Sequence, residues 1–103
     1  MQRQDYLERM LEQVAAAIAR AAGFSQAGRS EEAQRELDGV WSSALGLRRG
    51  DVERFDEPML RVLLGPKIGP AAALLDAQAD LLQMQGDGKG SVRLRELAQK
   101  IRL

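Results

Sequence analysis

The sequence predicts an all-α fold, and three observations carry that prediction. Ala, Leu, Glu, Gln and Arg, all favourable in helices, make up more than half of the 103 residues. Apolar residues recur at steps of three and four along most of the chain. No stretch alternates apolar and polar residues with the Val, Ile and Thr enrichment of a strand. About five helices are expected, arranged as antiparallel hairpins in a single domain over residues 1–103: a hairpin at 3–46, short connecting helices at 51–65, and a hairpin at 70–103.

The first helix is expected from Arg3 to Ala22, with Gly23 as its terminator. Its stripe is Leu7, Met10, Leu11, Val14, Ile18 and Ala21, flanked by Ala15, Ala16, Ala19 and Ala22, small enough for close approach of a second helix. After the bend at Gly28, Ser30 is the expected N-cap, with Glu31 and Glu32 at the positive end of the helix dipole. The stripe of the second helix is Ala33, Leu37, Val40, Trp41, Ala44 and Leu45, and Gly46 stands near its end.

Residues 47–70 keep a helical period through Val52, Phe55, Met59 and Val62 or Leu63, but Pro58 is costly inside a continuous helix. The reading is therefore a short helix from Asp51 to Phe55 and another from Glu57 to Leu64, capped by Asp56. The two Gly-Pro steps of GPKIGP (65–70) break the chain, and a helix starts near Pro70. Its stripe is Ala71, Leu74, Leu75, Gln78, Leu81 and Leu82. GDGKG (86–90) makes the last turn, Ser91 caps the last helix, and Val92, Leu94, Leu97, Ala98 and Ile101 are its apolar positions.

The pattern of helix, glycine turn and capped helix thus occurs twice. Aligning Gly28 with Gly86 and allowing a longer second turn sets Ser30 on Ser91, and Ala33, Leu37 and Val40 on Leu94, Ala98 and Ile101. The first copy, IARAAGFSQAGRSEEAQRELDGVWSSAL (18–45), resembles a tetratricopeptide unit. Gly28 and Ala33 match its turn glycine and the small residue five places on, where the second helix of the unit packs on the first. Phe24 matches the aromatic before the turn, and Leu37 and Val40 take later apolar positions. Alanines replace the Trp/Leu/Gly signature of the unit, and no proline closes it. Through DYLERMLEQ (5–13), GRSEEAQREL (28–37), ALGL (44–47) and LLDAQADLLQMQGD (74–87), most of the chain resembles a group of small uncharacterised bacterial proteins with tetratricopeptide-like hairpins. The resemblance implies a fold and no activity.

Composition narrows the chemistry. With no cysteine and no histidine, the chain has no disulfide, zinc thiolate, thiol nucleophile or Ser-His-Asp triad of its own. Fifteen basic residues balance fifteen acidic ones, so the global positive field of a nucleic-acid binder is missing. Apolar runs such as Val14 to Ala19 fall far short of the ~20 residues that span a bilayer. The charged start MQRQDYLERMLEQ does not read as a secretory signal, and a cytoplasmic location is expected.

Four groups of polar residues invite a functional reading. Asp76 and Asp80 share a helix face, as an acid–base or metal pair would, or as a solvated acidic face. GDGKG with Ser91 has some phosphate-loop residues without the full spacing or the preceding strand. Lys89, Arg93, Arg95, Lys100 and Arg102 make the last helix basic, and Arg48, Arg49 and Arg54 form a smaller basic group. No aromatic residue accompanies the basic helix. The expectation is a non-catalytic module with no cofactor or metal, which binds another protein or itself as a homodimer built on helix one or on the C-terminal hairpin; the alternatives are an accessory nucleic-acid or anionic-membrane binder that uses the basic last helix, and a small-ligand or carboxylate-based enzyme module. Tyr6, Met10, Trp41, Leu97 and Ile101 are the candidate contact residues.

Overall fold

The two glycine turns set the architecture. In the computed structural model, which describes residues 2–103, helix α1 (Gln2–Gln26) is joined to α2 (Ser30–Leu45) by residues 27–29, and α5 (Ile68–Met84) to α6 (Gly88–Arg102) by residues 85–87. Gly28 has φ +77° and Gly86 φ +87°, the left-handed region that glycine enters without penalty. In the first turn the Arg29 N–H donates to Phe24 O at 2.8 Å and the Gly28 N–H to Ser25 O at 3.0 Å. In the second, Asp87 donates to Leu82 O at 2.9 Å and Gly86 to Gln83 O at 3.1 Å. Both are Schellman motifs, which satisfy carbonyls that the helix end leaves free. α1 therefore runs through Gly23 and ends one turn later than the sequence reading placed it.

The turns are of equal length, which corrects the alignment read from sequence. The first intrahelical bonds are Ala33 N–H to Arg29 O and Ser91 N–H to Asp87 O, both 3.1 Å. Ser91 therefore stands where Ala33 stands, not where Ser30 does, and both side chains are buried. Neither serine is an N-cap. Asp87 caps α6, its Oδ1 accepting from Gly90 N–H at 2.9 Å. Arg29 occupies the corresponding place before α2 without a side-chain cap. Its guanidinium lies over the Phe24 ring and grips Glu32 with two 2.6 Å hydrogen bonds.

Between the hairpins lie α3 (Arg49–Val52), a single turn, and α4 (Glu57–Leu64). Asp56 caps α4 as expected, accepting from Met59 N–H at 2.9 Å, with Pro58 in the first turn. Gly65 has φ +51° and ψ −121° and opens a 3₁₀ turn, Gly65–Lys67. α5 begins at Ile68, so Pro70 falls in its first turn, where its missing N–H costs no hydrogen bond.

α5 is the axis of the molecule. It packs against α1, α2 and α6, while α4 rests on α6 and α5. Accordingly α5 buries a wide arc of its surface, with Ala71, Ala72, Leu74, Leu75, Gln78, Ala79 and Leu81, and turns Asp80 to solvent. The ion pairs Arg20–Glu36 across α1 and α2, and Asp80–Arg95 and Asp76–Arg102 across α5 and α6, show that each hairpin is antiparallel. The 25 residues of α1, about 37 Å long at 1.5 Å per residue, account for most of the 41 Å long dimension.

The α2 stripe is buried at every expected position. On α1 the buried apolar residues are Met10, Val14, Ala17 and Ala21, so Ala17 replaces the exposed Leu11. On α4, Leu60 and Leu64 face inward, whereas Met59, Val62 and Leu63 face solvent, and on α6 Val92 is exposed. Arg61 ties α4 to the end of α6 by donating to Lys100 O at 2.6 Å, one of the carbonyls that a helix C-terminus leaves unpaired.

Candidate functional site

The candidate contact residues do not share a surface. Trp41 is 0 % exposed, and Met10 and Ile101 are also buried in the core, so a partner docking on this fold meets none of the three. Leu97 is half-buried against the core. Tyr6 is exposed, with Lys67 Nζ 5.9 Å from its ring centre, within cation–π range.

The acidic pair and the basic helix answer each other. Asp80 Oδ1 lies 2.7 Å from Arg95 Nη2, and Asp76 Oδ2 lies 2.8 Å from Arg102 Nη1. Arg93 approaches Glu53 at 3.7 Å. The spacing that put both aspartates on one face of α5 thus serves to face the arginines of α6. Arg54 reaches Asp51 at 3.8 Å, Arg48 is exposed, and the Arg49 side chain lies outside the described residues. Among the described residues no group of three or more acidic side chains is placed to hold a metal ion. No helix among them is long and apolar enough to cross a membrane. In GDGKG, the Gly90 amide is already taken by Asp87, an arrangement that caps a helix and turns a carboxylate, not a free amide, toward the loop.

Two surface features escaped the sequence reading. The first is the outer face of α4. Val62 is 83 % exposed, and Met59 and Leu63 stand beside it on the same side of the helix. The charges of this helix cancel, because Arg61 Nη2 lies 2.9 Å from Glu57 Oε1. The signal was present as the four-residue step from Leu60 to Leu64, but Met59 and Leu63 have the same spacing one residue earlier.

The second feature is a cleft of about 220 Å³ where α1, α2 and α5 meet. Ala21, Ala33, Leu37 and Leu81 form its buried floor, and the exposed Gln26 and Met84 stand at its rim. Alanines at this three-helix junction leave space that larger side chains would fill. Ser25 lines one wall and donates its hydroxyl to Met84 Sδ at 3.0 Å. No such gap can be read along one helix, since it depends on how three of them meet. No protein-family model, curated protein or solved structure matches the chain.

Proposed function

We propose that the chain is a non-catalytic, tetratricopeptide-like helical module of the cytoplasm that pairs with a second copy of itself through the outer face of α4. The observation that carries this reading is the grouping of Met59, Val62 and Leu63 on one exposed face. A soluble protein seldom groups large apolar side chains on its surface without a use for them. The occupant is a second copy because the face is self-compatible. Glu57 and Arg61 neutralise each other, so two identical faces meet without like-charge repulsion, and a two-fold axis lets each patch cover the other. The order of packing supports the repeat-like reading, since α5 lies against both helices of the preceding hairpin, as a following repeat unit does.

A helix of eight residues, about 12 Å long, supports a small interface, so the dimer is expected to dissociate on dilution. Light scattering over a concentration series tests this. The mass should rise from 11.3 kDa toward twice that value, and Val62→Lys with Leu63→Lys should hold it at the monomer. A wild-type mass that stays at the monomer value at every concentration overturns the proposal.

A further inference from the structure

We propose that the cleft between α1, α2 and α5 is a binding site for a compact, neutral, mainly apolar molecule that carries one hydrogen-bond-accepting oxygen, such as an aryl ketone. This site is separate from the α4 face and goes beyond self-association. Its volume, about 220 Å³, is room enough for a single-ring molecule, since an engineered apolar cavity of ~150 Å³ takes up benzene. The floor is made of fully or almost fully buried apolar side chains and offers an apolar ligand a surface that water wets poorly.

The polar requirement comes from Ser25. This side chain is 9 % exposed, yet its hydroxyl donates to a thioether, a weak acceptor. Met84, which supplies that sulfur, is 63 % exposed and unbranched, so it can swing aside. An oxygen on the ligand would replace a weak acceptor with a strong one at a buried donor. Charge selects against anions. Asp80 is the one charged residue among those lining the cleft, and the one cation beside it, Arg95, is already taken up by its carboxylate, so an anion finds no free positive charge there. Its pairing with Arg95 also leaves it little call for a cationic ligand.

Acetophenone and benzoate, titrated separately into the full chain and followed by NMR, test the proposal. Acetophenone should give saturable shifts at Ala22, Ala33, Ala77 and Leu81, and benzoate should bind at least about tenfold more weakly. Ser25→Ala should weaken acetophenone by roughly two- to tenfold, the range of one hydrogen bond. Ala22→Leu, at an exposed helix position that tolerates the change, and Ala77→Leu, at a half-buried one, should each fill the cleft and abolish the shifts while the helical circular dichroism persists. Absence of saturable shifts at millimolar acetophenone overturns the site. So does binding that survives Ala22→Leu, or equal affinity for benzoate.

Discussion

The side-chain amides of Gln34 on α2 and Gln78 on α5 exchange both of their hydrogen bonds, at 2.8 and 2.7 Å. This reciprocal pair joins the first hairpin to the second inside an otherwise apolar contact. Gln78 is 1 % exposed, so its carboxamide has no recourse to water, whereas Gln34 is half-buried and also donates to Asp38. The asymmetry makes a specific prediction. Gln34→Ala, a change that helix propensity alone would favour, should destabilise by about 1–3 kcal/mol because it strands a buried amide. Adding Gln78→Leu should recover part of that loss. Chemical denaturation of the two single variants and the double variant would show this as a coupling energy of about 0.5–3 kcal/mol. Strict additivity would mean that the pair does not join the hairpins.

The equivalence of Ser91 and Ala33 predicts that Ser91→Ala is harmless or beneficial. Ser91 is fully buried, and its hydroxyl has no hydrogen-bond partner. Alanine removes that unsatisfied group, suits a helix better and matches the residue already used in the first hairpin. The expected outcome is a gain of about 0–1 kcal/mol, read as a midpoint of thermal unfolding raised by up to a few degrees. A loss above about 1 kcal/mol would show that the hydroxyl is needed.

The two glycines that open α6 should respond differently. A Cβ at Gly90 would lie 2.5 Å from Asp87 Oδ2, whereas Gly88 has open space around it. Gly90→Ala should therefore displace the capping carboxylate, and the loss of that cap, about 1 kcal/mol as in Asp87→Ala, should cancel the gain that alanine brings inside a helix. Gly88→Ala should stabilise by about 0.4–1 kcal/mol by restricting the unfolded chain. Thermal melts of the three variants check the order, and equal effects at the two glycines would refute the role given to Asp87.

Legibility in the sequence followed exposure. α2 lies with one face on the core and the other in water, so its stripe from Ala33 to Leu45 could be read position by position. α4 could not be read in the same way. Leu60 and Leu64 have the spacing of Met59 and Leu63, and only packing on α6 decides which pair turns inward. The caps shifted because a Schellman turn fixes which residue begins the next helix, so the positions of Gly28 and Gly86 outweighed the capping preference of Ser30 and Ser91. Of the candidate sites, the pairing of Asp76 and Asp80 with arginines lay within reach, since acidic and basic residues recur along the facing helices. The cleft and the exposed face of α4 depend on tertiary placement alone.

Chemical shifts of the backbone amides, recorded from dilute to concentrated protein, test most directly whether α4 is the face through which copies meet. Pairing through α4 should give concentration-dependent shifts concentrated in residues 57–64, abolished by Val62→Lys with Leu63→Lys, while the exposed face of α2 stays still. Shifts centred on α1 or α2, or a spectrum that does not change with concentration, would contradict it.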